Sequence, residues 1–182
     1  MSSPTRPARR RWDERLMTVE AWVATAFLVA LVVLVGTQVV TRYVLARPPV
    51  WTEETARYTL IWLTFVGAAH LAGRRRHLTV ATFDRFLPPR VLAWTIAVAD
   101  LVIAGLAGLL VYASIDYLER VSRQTTAAGG LPMSWVYGAL TVGLALVALH
   151  CVVGAVRDLR VLLTGGIPVL PSAAEAAEEV AA

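Results

Sequence analysis

Residues 51–80 read WTEETARYTLIWLTFVGAAHLAGRRRHLTV and carry the most distinctive polar pattern in the chain. The stretch begins with an aromatic residue, two adjacent carboxylates and, soon after, an arginine. It continues as an apolar run and ends in three arginines followed by a histidine. An apolar segment flanked by charged residues is typical of a helix that crosses a membrane. The stretch therefore predicts a membrane helix with a polar surface at each end.

Composition and layout place the whole chain in a membrane. The 182 residues are 57% hydrophobic and 16% charged, with a mean hydropathy of +0.62, whereas soluble domains carry roughly a quarter charged residues. Residues 21–41, 91–115 and 133–156 are nearly free of charge. Each is long enough to cross a hydrocarbon core of about 30 Å. With the segment after Arg57, the sequence predicts an all-α integral membrane protein with four transmembrane helices.

The predicted layout has three parts. A basic cytoplasmic tail covers residues 1–18, a four-helix membrane domain covers residues 19–165, and a flexible cytoplasmic tail covers residues 166–182. The helices are predicted at about residues 19–45, 51–73, 91–116 and 133–158.

The second helix is short for a span. Its uncharged part, residues 58–73, would extend only about 24 Å. We therefore expect its first turn to lie as an amphipathic segment in the membrane interface, or to pack against a partner protein.

The distribution of arginine predicts the orientation. All seventeen basic residues are arginine, and twelve of them fall on the side of the membrane that carries both chain termini, against five on the other side. Arginine is enriched in cytoplasmic loops, so both termini are expected in the cytoplasm. The arginines cluster beside the apolar segments, which is the pattern of membrane topology and does not indicate nucleic-acid binding.

Glu53 and Arg57 are spaced i and i+4, in the order that favours an ion pair on one helical face. The pair fits an interfacial salt bridge at the helix start, where Glu53 and Glu54 also complement the helix dipole. It equally fits a contact with a partner subunit or an extracytoplasmic protein. Acid–base catalysis by the two carboxylates would need a pocket and a proton acceptor that the sequence does not supply, so we do not expect an enzyme.

Asp100 is predicted about 14 Å inside the third helix, where an ionised carboxylate is costly unless it is paired or protonated. One interpretation is a structural hydrogen bond between helices, with Thr64 or His150 at similar depth. The alternative is that Asp100 couples ion and solute movement in a self-sufficient small oligomeric transporter.

His70 and His150 both fall in the cytoplasmic halves of their helices, so ligation of a haem by two histidines is conceivable. The sequence has no Cys/His cluster for a structural metal and no phosphate-binding loop. Cys151 alone cannot form a disulfide within the chain. We expect no cofactor.

One known family shares this pattern. The chain resembles the small permease subunit of tripartite ATP-independent periplasmic (TRAP) transporters, the DctQ family, and the strong part of the resemblance covers about forty residues. The segments that carry it are Arg42-Tyr43-Val44-Leu45, Trp51-Thr52-Glu53-Glu54, Ala56-Arg57-Tyr58, Trp62, Gly67-Ala68-Ala69, Arg74-Arg75-Arg76 and His77-Leu78-Thr79-Val80. The chain departs from the family pattern at Ala81, where an aspartate is usual, and at Arg76, which is often glycine.

The resemblance implies a three-part importer in the bacterial inner membrane. A periplasmic solute-binding protein captures a solute, often an organic acid, and a large multi-helix permease carries it, usually driven by a sodium gradient. The small subunit is implied to be a scaffold that holds the permease in the membrane lipid. The residues expected to contact partners or to serve structure are Trp51, Glu53, Glu54, Arg57, Arg74, His77 and Asp100.

Overall fold

The structure, a computed structural model, describes residues 11–47, 49–74, 88–127, 130–164 and 166. These residues form four helices: α1 (Arg11–Tyr43), α2 (Val50–Gly73), α3 (Pro89–Val121) and α4 (Met133–Leu163). Helix α1 begins before residue 19, and α3 and α4 continue about a turn beyond residues 116 and 158. The all-helical fold expected from the sequence is confirmed.

Proline precedes the first turn of three helices. Pro49, Pro88 and Pro132 occupy the N-cap positions of α2, α3 and α4, and Pro89 follows as the first residue of α3. Proline is tolerated at a helix start because the first backbone N–H groups have no partner within the helix and the ring fixes a compatible φ. The prolines in the sequence therefore mark where these helices begin.

Three of the helices are long and apolar enough to cross a membrane: α1, α3 and α4. Helix α2 is shorter, with 24 residues, and polar side chains such as Thr59, Thr64 and His70 interrupt its apolar run. Together with the apolar surface on these helices, the architecture is that of a multi-pass membrane protein.

The four helices pack as a row in the order α1, α2, α4, α3. Helix α1 contacts α2, α2 contacts α4, and α4 contacts α3; within the described ranges α1 and α3 do not pack against each other. Among the described residues the four helices therefore do not close into a ring, although α1 reaches α4 through one pair of side chains. No described element packs against the outer side of α1 or of α3.

Contacts between named side chains show the helix directions. Phe27 of α1 stacks on Trp62 of α2 with ring centroids 5.9 Å apart. Ser114 of α3 and Thr141 of α4 share a hydrogen bond of 2.9 Å. A second contact in each pair, Glu20 with His70 and Tyr117 with Tyr137, shows that residue numbers run in opposite senses. Helix α1 is therefore antiparallel to α2, and α3 is antiparallel to α4.

Small residues allow close packing in the middle of the row. A Cβ atom added to Gly143 of α4 would lie 2.5 Å from Cβ of Phe65 on α2 and 3.0 Å from its backbone oxygen. The α3 face that packs on α4 follows a heptad-like spacing of small side chains, as membrane helix pairs commonly do. Its buried members include Ala93, Ala97, Asp100, Ala104, Ala107 and Ser114.

The row has two distinct ends. The turn end carries residues 44–47 and 49 between α1 and α2 and residues 122–127 and 130–132 between α3 and α4. The opposite end carries the first turns of α1 and α3 and the last turns of α2 and α4. The polar residues that the sequence singled out divide between these two ends.

Candidate functional sites at the two ends of the helix row

At the turn end, Glu53 and Arg57 form the pair that their spacing predicts. Arg57 donates a hydrogen bond from Nη2 to Oε1 of Glu53 at 3.4 Å, and the two side chains are 66% and 59% exposed. Trp51, two residues before Glu53, is half exposed. All three side chains are exposed, and Glu53 and Arg57 share one helical face; we call these three residues the outer turn.

Glu54 points the other way, although it is adjacent to Glu53. Its Oε1 accepts a hydrogen bond from the Tyr58 hydroxyl at 2.5 Å and another from the backbone N–H of Ala127 at 3.1 Å. The second bond joins α2 to the connection between α3 and α4. Glu54 therefore holds two parts of this chain together, while Glu53 is exposed and bonds to Arg57.

The described residues of the connection between α3 and α4 are hydrogen-bonded to one another. The buried Thr126 accepts the Leu131 N–H through its hydroxyl at 3.0 Å and donates its own N–H to the Leu131 carbonyl at 2.8 Å. Gly130 has a φ of 62°, a backbone conformation that glycine adopts easily. Because Glu54 holds the same loop through Ala127, the loop is fixed against α2.

A shallow apolar groove of about 320 Å³ lies beside this loop, between α2 and α4. Its walls are mainly aromatic and aliphatic, and Trp135 on its rim is 69% exposed. Tryptophan and tyrosine favour the boundary between hydrocarbon and water. The groove is lined by Tyr58, Trp62, Leu131, Trp135 and Val136.

Asp100 is buried within the row, with 2% of its surface exposed, and it takes part in a polar interaction within the chain. The two side chains that the sequence offered as partners have hydrogen bonds to other residues. Thr64 is exposed and donates to the Leu60 carbonyl of its own helix, and His150 bonds to a residue of α1.

Arg74 and His77 were expected at the opposite end. Arg74 is the C-cap of α2, and its backbone N–H reaches the carbonyls of His70 and Ala72. His77, together with Arg75, Arg76, Ala81 and both predicted tails apart from the start of α1, lies outside the described residues.

The opposite end contains a cluster that the sequence did not predict. Oε1 of Glu20 on α1 and Nε2 of His150 on α4 form a hydrogen bond of 2.9 Å, with both side chains at least 96% buried. Oε2 of Glu20 lies 4.0 Å from Nδ1 of His70 on α2. One carboxylate thus joins three helices. We call these three residues the carboxylate cluster.

Glu20 escaped prediction because it is the last charged residue before the apolar part of α1 and so looked like the edge of a span. The available signal was depth: Glu20, His70 and His150 all fall near the same ends of their predicted helices. Both histidines converge on the carboxylate. Within the described ranges, no group of three His, Cys, Asp or Glu side chains has the geometry to hold a metal ion.

Comparison with known proteins assigns the chain to a family. The sequence profile described as "Tripartite ATP-independent periplasmic transporters, DctQ component" matches residues 31–161. The sialic acid TRAP transporter small permease protein SiaQ of Vibrio cholerae is 23% identical over 125 residues, which cover 69% of this chain and 72% of SiaQ. A putative TRAP transporter small permease protein of Haemophilus influenzae is 28% identical over 123 residues, 68% of this chain and 76% of that protein.

A longer relative matches the same part of the chain. The sialic acid TRAP transporter permease protein SiaT of Haemophilus influenzae is 21% identical over 124 residues, which are 68% of this chain and 20% of SiaT. The chain thus spans about a fifth of that relative and about three quarters of the two small permease proteins. With the family profile covering most of its length, the chain belongs to the DctQ family, the small permease components of tripartite ATP-independent periplasmic transporters.

Proposed function

We propose that this chain is a scaffold subunit that holds a large permease in the membrane and does not itself carry solute. The observation that supports this most is the packing of the helices as a row, α1-α2-α4-α3. A transport pathway needs polar groups around a central passage, and a row of helices encloses none. Several buried polar side chains, Thr52, Thr59 and Ser114 among them, bond to the backbone of their own helices or the residue before it, which suits a rigid support.

The large relative indicates what the scaffold would support. In SiaT, a segment similar to this chain is part of a polypeptide about five times as long as the matched region. A polypeptide named a permease can therefore contain a segment similar to this chain together with a much longer remaining part. We infer that the present chain meets the equivalent larger part as a separate multi-helix permease subunit.

We further propose that α2 also crosses the membrane, giving four spans with both termini in the cytoplasm of a bacterial inner membrane. The alternating helix directions suit this arrangement, and the excess of arginine beside the termini favours it. The apolar part of α2 is short, so its first turn would lie in the periplasmic interface. The turn end of the row then faces the periplasm.

The outer turn is the surface we propose for contact with the permease or with the periplasmic binding protein. Trp51, Glu53 and Arg57 are exposed, and Glu53 and Arg57 present opposite charges without serving the interior. Tryptophan and arginine are enriched at protein interfaces. Glu54 belongs to the fold, so the proposed contact excludes it.

The solute is proposed from the relatives alone. SiaT and SiaQ are named as sialic acid transporters, and sialic acid is an organic acid. We propose import of an organic acid, driven by an ion gradient and supplied by a periplasmic solute-binding protein.

Co-purification tests the scaffold role. The chain would carry an affinity tag and be co-expressed with the large TRAP permease encoded in the same genome, then extracted in mild detergent. We expect the permease to elute with the chain in a fixed ratio. An unrelated membrane transporter of similar size serves as control, and recovery of both proteins at the same level would contradict the proposal.

A further inference from the structure

In the carboxylate cluster, the two oxygens of Glu20 differ in their hydrogen bonding. Oε1 of Glu20 has its hydrogen bond to His150, but Oε2 has no hydrogen-bond partner and is fully buried. Nδ1 of His70 is also buried without a partner. Buried polar atoms in proteins nearly always have a hydrogen-bond partner, so two such atoms facing each other call for a physical reason.

The distance between them suggests that reason. Oε2 of Glu20 and Nδ1 of His70 are 4.0 Å apart, about 1 Å beyond an ordinary hydrogen bond. A neutral histidine carries one N–H, and its other nitrogen is an acceptor. The Met17 backbone carbonyl of α1 is an acceptor close to the same ring. Since Nδ1 has no hydrogen-bond partner, a bond to that carbonyl would come from an N–H on Nε2. Two acceptors then face each other, and neither can donate.

We propose that Glu20 and His70 form a proton-binding site that clamps α1 to α2 at the opposite end of the row. A proton added to Nδ1 of His70 turns an acceptor into a charged donor, which bonds to Oε2 of Glu20. No other bond in the cluster needs to break. Charge-assisted hydrogen bonds of this kind are shorter and stronger than neutral ones, so the two helices draw together.

His150 provides the fixed side of the clamp. A Cβ atom on Gly73 of α2 would lie 3.1 to 3.2 Å from three atoms of the His150 ring. The ring therefore packs directly on the α2 backbone, in space that a side chain at position 73 would occupy. With His150 held there, Glu20 keeps one oxygen on α4 while the other remains available to His70.

The charges around His70 act in both directions. The Glu20 carboxylate of α1 lies 4.0 Å from the His70 ring and is shared with His150 of α4, while Arg74 lies one turn further along α2. Helix α3 packs on α4 alone among the described helices and contributes no group. Glu20 is therefore the carboxylate that would stabilise a proton on His70.

Nitrogen NMR of the histidine side chains tests the site. The full chain would be labelled with ¹⁵N-histidine, placed in lipid nanodiscs and titrated from about pH 8 to pH 5, with His70 and His150 assigned from His70→Gln and His150→Gln. In Glu20→Gln we expect the His70 titration midpoint to fall by at least about one pH unit, since an adjacent opposite charge is typically worth one to three units. Arg74→Gln should raise the midpoint.

Glu53→Gln is the matched control, because it removes a carboxylate at the turn end and should leave the midpoint in place. An equal midpoint in Glu20→Gln and in the unmodified chain would overturn the proposal. If Glu20→Gln does not fold, the test rests on the His70 proton signal of the unmodified chain. At acid pH the Nδ1 proton of His70 should be downfield and slow to exchange with water, and a freely exchanging proton there would refute the clamp.

Discussion

Glu54 of α2 accepts the backbone N–H of Ala127 across 73 residues of sequence, at 3.1 Å. The same oxygen accepts the Tyr58 hydroxyl. This arrangement fixes the loop between α3 and α4 against the first turns of α2. It also separates two adjacent glutamates into different roles, since Glu53 pairs only with the exposed Arg57.

Replacing Glu54 with alanine should destabilise the chain, whereas replacing Glu53 with alanine should have little effect. Glu54→Ala removes two hydrogen bonds to a charged acceptor, which together are worth about 2–4 kcal/mol at partly buried positions. Glu53→Ala removes an exposed ion pair worth at most about 0.5–1 kcal/mol. Unfolding in detergent, followed by circular dichroism, measures both. Equal losses in the two variants would contradict the assignment of Glu54 to the fold.

Charge reversal at the outer turn should weaken assembly and leave the isolated chain intact. In Glu53→Arg a positive side chain faces Arg57, and in Arg57→Glu a negative one faces Glu53. Each variant presents a changed charge to a partner, so recovery of the permease in co-purification should fall several-fold. The double variant Glu53→Arg with Arg57→Glu restores the pair within the chain. If it also restores recovery, the pair serves the helix start and the proposed contact is wrong.

Alanine at Gly143 should be far more harmful than alanine at Gly138 on the same helix. A Cβ at Gly143 would meet Phe65 at 2.5 Å and force α2 away from α4, whereas one at Gly138 meets nothing within 4 Å. Overpacking of this kind costs roughly 1–3 kcal/mol, while alanine in an open helix position is favoured by up to about 1 kcal/mol over glycine. Thermal unfolding of both variants compares them directly. A neutral Gly143→Ala would mean that α2 and α4 are further apart than described.

Removing one member of the Glu20–His150 pair should cost more than removing both. Glu20→Leu or His150→Leu leaves a buried polar partner unsatisfied, at a cost of roughly 3–5 kcal/mol if that partner is charged. The double variant leaves neither, so it should recover part of the loss. A double-mutant cycle of unfolding free energies measures the coupling. Additive losses would show that the two side chains do not interact.

The sequence predicted the parts of this structure that depend on local pattern. Uncharged segments indicated the helices, prolines such as Pro49 and Pro132 marked their starts, and the i, i+4 spacing predicted the bond between Glu53 and Arg57. The family resemblance, based on residues 42–80, is confirmed by the match to the DctQ profile.

Long-range pairings could not be predicted in the same way. Glu54 and Ala127 meet only because the α3–α4 loop folds back on α2, and neither residue signals the other in the sequence. His150 was considered as a partner for Asp100 because the two are at similar depth. Helices α1 and α4 both pack on α2, and near the C-terminal end of α2 the His150 side chain reaches Glu20. Helix order is a property of packing, and hydropathy carries no information about it.

Solute uptake by reconstituted vesicles tests the scaffold account most directly. Vesicles would contain either this chain alone or this chain with the large permease, and each would be supplied with the periplasmic binding protein, an organic acid solute and an inward sodium gradient. We predict uptake only when the permease is present, and we predict that Asp100→Asn in this chain retains the sodium dependence of uptake. Gradient-driven uptake by this chain alone, abolished by Asp100→Asn, would contradict the account and establish a self-sufficient transporter.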